Sequence, residues 1–294
     1  MPFALCLIAN PAHTPLDARP VAMLARVLDA SPRWLAKAEA CEFLVDVEQP
    51  DRLLRQAREV LAGVPFDVAV VPVADRIKRL LVSDMDSTVI TVECIDELAA
   101  HLGSRDEVAA ITRRAMNGEL DFRAALEARV ALLKGLPVTV FEEVLRERVR
   151  LTPGARTLVQ TMRAHGATTA LVSGGFLEFV EWVREAAGFD LAEANRLEVR
   201  DGRLTGHLLP PIHCPSSKLA LLERLTRELG LRREETLAVG DGANDLPMLE
   251  AAGLGVAYRP HRSVAERIAV TIEHADLTAL LYLQGIPKSA FVRD

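Results

Sequence analysis

The sequence lacks any apolar run approaching the roughly 18 residues that a membrane-spanning helix needs; charge or proline interrupts every stretch early. Its first residues also lack the basic segment that precedes the apolar core of a secretory signal. A membrane is therefore no expected partner, and a cytoplasmic location is the expectation. Cysteine is sparse: Cys6, Cys41, Cys94 and Cys214 stand far apart with no CxxC pair. That excludes a dense disulfide framework and offers no zinc-site spacing, so they read as reduced thiols. His13, His101, His165, His207, His213, His261 and His274 show no ligand spacing either. Basic charge is not in excess, since 35 Lys and Arg face 41 Asp and Glu for a net charge of -6. The positive footprint that a nucleic-acid backbone demands is missing, so nucleic acid is excluded as an expected partner. Internal repeats and low-complexity segments are absent as well.

What remains is a chain of 294 residues, 50% hydrophobic, able to bury a substantial core as one large domain or two smaller ones. Residues 1–78 read as strand 3–8, helix 21–28, strand 42–47, helix 52–61 and strand 68–73. This small α+β unit resembles an incomplete ferredoxin-like fold of the ACT type, an amino-acid-sensing module, in element order alone. From 79 to 294 the texture changes: apolar strands such as 80–82 and 170–172 alternate with helical stretches, the pattern of a doubly wound parallel α/β sheet. Between 91 and 150 only helical patterns occur, too long for a simple crossover, so they read as a helical cap inserted after the first strand. Residues 199–204 read as a hairpin with Asp201-Gly202 in its turn.

Chemistry concentrates at four places. Asp84-Met85-Asp86-Ser87-Thr88 lies just beyond an apolar strand, where open parallel sheets bind ligands. Two carboxylates one residue apart allow division of labour: Asp84 can attack phosphorus while Asp86 protonates the leaving oxygen. Val172-Ser173-Gly174-Gly175-Phe176 follows a second strand, and its hydroxyl and free N–H groups can hold phosphate. Lys218 opens a helical run and can place an ammonium near both. Gly240-Asp241-Gly242-Ala243-Asn244-Asp245 supplies oxygen ligands suited to a hard cation, with Mg2+ the common choice beside phosphate. Taken singly, the first is also a polar strand-end turn, the second a strand-to-helix turn with a Ser cap, and Lys218 a solvated surface lysine. Only the fourth is poorly explained as a plain turn.

Together and in this order, the four motifs resemble the haloacid dehalogenase-like superfamily. Asp86 argues against a dehalogenase, which has no alkoxide leaving group to protonate. Within the superfamily, the stretch from Asp84 to Glu93, the cap, 172–176, Ala194-Asn195-Arg196-Leu197 and 240–245 resemble the phosphoserine phosphatases, over about residues 79–284. The resemblance implies Mg2+-dependent hydrolysis of the small molecule O-phospho-L-serine through an aspartyl-phosphate, the last step of serine biosynthesis. It implies Asp84 as nucleophile, Asp86 as acid and then base, and Mg2+ on Asp84, the main-chain carbonyl of Asp86, and Asp241, supported by Asp245. Ser173, the Gly174 N–H and Lys218 would hold phosphoryl oxygens, with Asn244 lining the phosphate site. Glu93 would meet the ammonium and Arg129 the α-carboxylate, beside an apolar lining of Met116 and Phe122. Alternatives are transfer of the phosphoryl group to another alcohol such as homoserine, another small phosphomonoester as substrate, or a non-catalytic amino-acid sensor. Oligomeric state is not set by the sequence, a homodimer being one option.

Overall fold

The computed structural model describes residues 2–116 and 119–292. The first part of the chain forms β1 (Pro2–Ile8), α1 (Ala18–Leu28), β2 (Arg33–Ala36), β3 (Ala40–Asp46), α2 (Pro50–Val60) and β4 (Asp67–Pro72). The four strands make an antiparallel sheet in the order β2-β3-β1-β4. This is the complete ferredoxin-like arrangement. The strand missing from the sequence reading is β2, four residues long at the sheet edge, half exposed, and bulged between Trp34 and Ala36. So short a strand, irregular and preceded by Pro32, shows no alternation to detect.

The second sheet begins with β5 (Leu80–Ser83), after which the chain leaves for four helices: α3 (Cys94–Ala100), α4 (Arg105–Met116), α5 (Phe122–Ala131) and α6 (Thr139–Glu147). This excursion starts and ends on one stem, where Ile90 bridges Leu151 and Thr91 N–H donates to the Arg150 carbonyl. There follow α7 (Ala155–Ala164), β6 (Thr168–Phe176), α8 (Leu177–Ala187), β7 (Leu191–Arg200), β8 (Arg203–Leu209) and α9 (Pro215–Glu228). The chain continues through β9 (Thr236–Gly240), α10 (Leu246–Ala251), β10 (Leu254–Tyr258), α11 (Arg262–Ala265), β11 (Val270–Ile272) and α12 (Ala279–Leu283). Strand order is β11-β10-β9-β5-β6-β7-β8, parallel except where β7 turns back into β8. That turn is the expected Asp201-Gly202 pair, with φ of 51° and 72°, and Val199 faces Leu204 across it.

Helices cover both faces, which is why the strands read as unbroken apolar runs. Leu80 and Val82 pack with Leu221 and Leu225 of α9 and Met248 of α10, whereas Leu81 between them packs with Leu158 of α7 and Phe179 of α8. The adjacent strands β6, β5 and β9 therefore present their carboxyl ends side by side at the centre of the sheet. The sequence places its three loop motifs there.

Buried polar contacts lock the two sheets together. Asp67 of β4, 4% exposed, accepts the N–H groups of Glu273, His274 and Ala275 beyond β11. Arg76, in the segment between the sheets, donates to the Leu283 carbonyl at 2.7 Å and pairs with the fully buried Glu42 at 2.5 Å. Arg33 reaches the other Glu42 oxygen from the solvent side. Removing one partner of a buried ion pair strands the other charge, typically at a cost of about 3–5 kcal/mol. Arg76→Met is expected to lower unfolding free energy by about 3 kcal/mol in urea titration. A loss under about 1 kcal/mol would show that Arg33 alone balances Glu42.

Candidate active site

Asp84 is the first residue past β5, and its N–H donates to the Val239 carbonyl of β9 at 2.9 Å, so its backbone is fixed between two strands. Lys218 lies in the first turns of α9, which starts at Pro215, three residues before the start read from the sequence. Its ammonium is 2.7 Å from Asp84 Oδ1 and 2.6 Å from Asp245 Oδ1, and the residue is only 2% exposed. Asp245 Oδ2 accepts the Gly242 N–H at 3.0 Å. Gly240 is required at the end of β9, because a Cβ there would stand 2.4 Å from Asp245 Cγ. Thr88 donates to Asp241 Oδ1 at 3.2 Å. The carboxylates of Asp84, Asp241 and Asp245 converge, with an oxygen of each within 4.8 Å of the others.

Three buried carboxylates against one ammonium leave excess negative charge. Burial, reinforced by Asp245 and opposed by Lys218, pushes Asp84 well above the ordinary carboxylate range. The same burial and the Asp245 charge push Asp241 to about 6. Burial alone would lower Lys218, but the Asp245 and Asp84 charges more than offset it and keep it protonated. An all-oxygen donor set with uncompensated charge fits a hard divalent cation. Both oxygens of Asp245 are taken by protein donors, so Asp84 and Asp241 are the freer of the three.

Asp86 sits in a different environment, half-buried at the root of the cap. Its Oδ1 accepts the Cys94 N–H of α3 at 3.0 Å and its Oδ2 the Ser173 hydroxyl at 3.2 Å. Burial raises its pKa, with those hydrogen bonds partly countering. Ser173 Oγ accepts the Gly175 N–H at 2.8 Å, which curls the end of β6 around the hydroxyl. Gly174 has room for no side chain without crowding Phe122 of α5, whose Cζ would lie 3.1 Å from a Cβ.

Glu93 precedes α3 at the foot of the cap, and Arg129 lies in the last turn of α5 within electrostatic reach of Glu93 and Asp86. Ser87, with φ of 54°, donates to Glu93 Oε1 at 2.6 Å. Enclosure by protein and the Asp86 charge push Glu93 upward, though the residue is exposed and water damps the shift. Burial lowers the proton affinity of Arg129, and the charges of Glu93, Asp96 and Asp86 oppose that. Its Nε donates to the Ala125 carbonyl at 3.3 Å. Asn244 is half-buried in the β9 loop, its Oδ1 2.3 Å from where a Gly242 Cβ would stand. Met116 ends α4, and its side chain lies outside the described residues.

Sequence reasoning gave no role to Ser87, Thr88 or Asn195. Each lay inside a quoted stretch, with nothing in residue type to give it a part of its own. Two broad surface concavities, of about 630 and 510 Å3, are lined by groups such as Arg163 and Asp190 or Arg150 and Trp182. They lie away from the carboxylate cluster, and neither gathers comparable chemistry.

Residues 81–250 match the family model described as haloacid dehalogenase-like hydrolase. A phosphoserine phosphatase of Streptomyces coelicolor is 45% identical over 251 residues, 85% of this chain and 61% of that protein, so the chain spans about three fifths of that relative's length. The crystal structure of a HAD family hydrolase from Salmonella enterica serovar Typhi superposes with a TM-score of 0.85 at 32% identity, covering 96% of this chain and 98% of the other. A substrate-bound phosphoserine phosphatase complex superposes with a TM-score of 0.66 at 39% identity, covering 70% and 97%.

The raised pKa of Asp241 has a definite sign for stability. A carboxyl that holds its proton up to about 6 when folded but releases it near 3.8 when unfolded contributes less and less stability as pH rises through that window. Without divalent cation, the protein is expected to melt at higher temperature at pH 5 than at pH 7. Asp241→Asn should flatten part of that slope, and millimolar divalent cation should raise the pH 7 melting point of the parent but not of the variant. Melting curves with and without chelator test this, and equal slopes for parent and variant would contradict it.

Proposed function

The chain belongs to the haloacid dehalogenase-like hydrolase family, and on that premise we propose that it hydrolyses O-phospho-L-serine to L-serine and phosphate, the closing step of serine biosynthesis. The observation behind this reading is the contrast between Asp84 and Asp86. Two carboxyls one residue apart occupy environments suited to different work, one facing an ammonium and two carboxylates, the other facing a hydroxyl and a helix N-terminus. Asp84 attacks phosphorus and forms an aspartyl-phosphate, while Asp86, whose raised pKa lets it hold a proton, gives that proton to the departing serine oxygen. Asp86, now a base, takes a proton from water as the water attacks the acyl phosphate. The hydroxyl of Ser173, the Gly174 N–H and Lys218 hold the phosphoryl oxygens, with Asn244 at their margin.

Asp84, the main-chain carbonyl of Asp86, and Asp241 are the groups that would hold Mg2+, with Asp245 anchored behind them by Lys218 and Gly242. When bound, the ion offsets the repulsion between an anionic nucleophile and an anionic phosphate. Glu93 takes the substrate ammonium and Arg129 its carboxylate, and Phe122 stands over Gly174. In this reading residues 79–294 form the catalytic unit, with 91–150 as its cap, residues 1–78 form a small α+β domain packed against it, and the protein works in the cytoplasm.

Phosphate release from L-phosphoserine, with and without Mg2+, beside phosphothreonine and a sugar phosphate, tests the assignment. Mg2+-dependent preference for phosphoserine is expected; preference for a sugar phosphate would overturn the roles of Glu93 and Arg129. Asp84→Asn should reduce kcat by at least roughly a thousandfold while leaving the melting temperature within a few degrees. Arg129→Ala should raise KM for phosphoserine by roughly 10- to 100-fold, and far less for a phosphate ester without a carboxylate. Equal losses on both esters would make Arg129 structural.

A further inference from the structure

Asn195, in the middle of β7, is fully buried, a costly place for a primary amide unless its hydrogen bonds are made. Here they are made, and all lead to the phosphate end of the site. Nδ2 donates to the Gly174 carbonyl at 2.8 Å and to the His213 carbonyl at 3.2 Å, while Oδ1 accepts the His213 N–H at 2.7 Å. One side chain thus ties the end of β6, which presents Ser173 and the Gly174 N–H, to the segment that leads into α9 and Lys218. Two residues earlier on β7, Glu193 pairs with Arg224 of α9 at 2.5 Å. β7 therefore grips α9 both before its start and further along it, on either side of Lys218 in the sequence.

We propose that Asn195 is a positioning residue that sets the spacing between the two arms of the phosphate-binding site, Ser173-Gly174 on one side and Lys218 on the other. The reasoning is geometric. Lys218 must reach Asp84 across the end of the sheet, yet α9 joins β8 through the non-helical residues 210–214, which no ladder holds. The paired hydrogen bonds between the Asn195 amide and the His213 backbone substitute for that ladder. The bond to the Gly174 carbonyl fixes the peptide between Gly174 and Gly175, whose N–H donates to the Ser173 hydroxyl oxygen, and so sets the turn that presents Ser173 and the Gly174 N–H. The glutamate and arginine of the cap have no part in this network. Loss of the Asn195 donor should therefore weaken grip on phosphate and leave grip on the amino-acid end unchanged.

This inference rests on the proposed hydrolase site but not on serine as the substrate. The test uses the full chain with Asn195→Ala and, as a near-isosteric second variant, Asn195→Asp. Inorganic phosphate and L-serine are titrated separately by calorimetry in the presence of Mg2+, melting temperatures are recorded, and kcat/KM is measured on every phosphate ester that the parent turns over. Phosphate affinity is expected to fall by roughly 10- to 100-fold, the scale of a lost buried hydrogen bond, with L-serine affinity within about twofold of the parent. kcat/KM should fall by a common factor for phosphoserine and for esters that lack the amino-acid moiety. Unchanged phosphate affinity would sink the proposal, as would equal weakening of phosphate and serine or failure of both variants to fold, since each makes Asn195 merely structural. Should the parent itself bind phosphate but neither bind serine nor cleave phosphoserine, the substrate assignment fails while the phosphate titration still decides the role of Asn195.

Discussion

The site is organised by one buried cation. Lys218 lies between Asp84 and Asp245, with Asp241 near enough to share a metal with both. Desolvating an ammonium costs several kcal/mol unless paired anions compensate, and desolvating three carboxylates costs more. Neither set is stable alone in so closed a place. One ammonium against three carboxylates leaves a shortfall of positive charge, the condition that a bound divalent cation would meet. Burial first, and the neighbouring Asp245 charge second, push Asp84 and Asp241 upward even beside a lysine.

Parallel-sheet topology makes this crowding achievable. β6, β5 and β9 are neighbours in the sheet but far apart in sequence, and each ends in a loop with a short polar side chain and little or no steric bulk. Gly240 and Gly242 yield space to Asp245 and Asn244, and Gly174 and Gly175 yield it to Phe122 and Asp86. Asp86 escapes the charge cluster because the chain turns toward the cap after Met85, bringing its carboxylate under the first N–H of α3 instead of against Lys218. Two acids separated by one residue therefore do not become a like-charged dyad. They acquire different proton affinities from different neighbours.

Much of this was legible in the sequence because strand-end motifs combine two signals, an apolar run and a cluster of residues that a fold would not otherwise spend at its end. Asp84, Asp86, Ser173, Asp241 and Asp245 all had both. Lys218 had only its residue type and its place at the opening of a helical run, and the family resemblance added its role; geometry then shows it buried between two carboxylates. Glu93 and Arg129 could be read only through the resemblance as well, since a glutamate and an arginine on helices look like solvated charge. Asn195 lay within a quoted stretch yet carried no chemical signature, because its partners are backbone atoms of Gly174 and His213, and backbone partners leave no mark on sequence spacing. β2 was lost for a related reason: an edge strand with one bulge has too few residues to display a period.

The N-terminal sheet illustrates how burial alters what a sequence seems to say. β1 is antiparallel to both neighbours, yet Ala4 to Ile8 is one continuous apolar run without the alternation expected of a sheet with one wet face. Leu5 and Leu7 pack under α1 and α2, while Ala4, Cys6 and Ile8 join the cluster that contains Leu280 and Leu283 of α12. Both faces are consumed, one by its own helices and one by the larger sheet's covering layer. The small residues on the second face let the two layers approach, and the ion pair between Glu42 and Arg76 and the Asp67 contacts to 273–275 fix their register. Because that face is already filled by the partner layer, the N-terminal unit is built into the core of the molecule, and any ligand it took would have to use its helices, loops or strand edges.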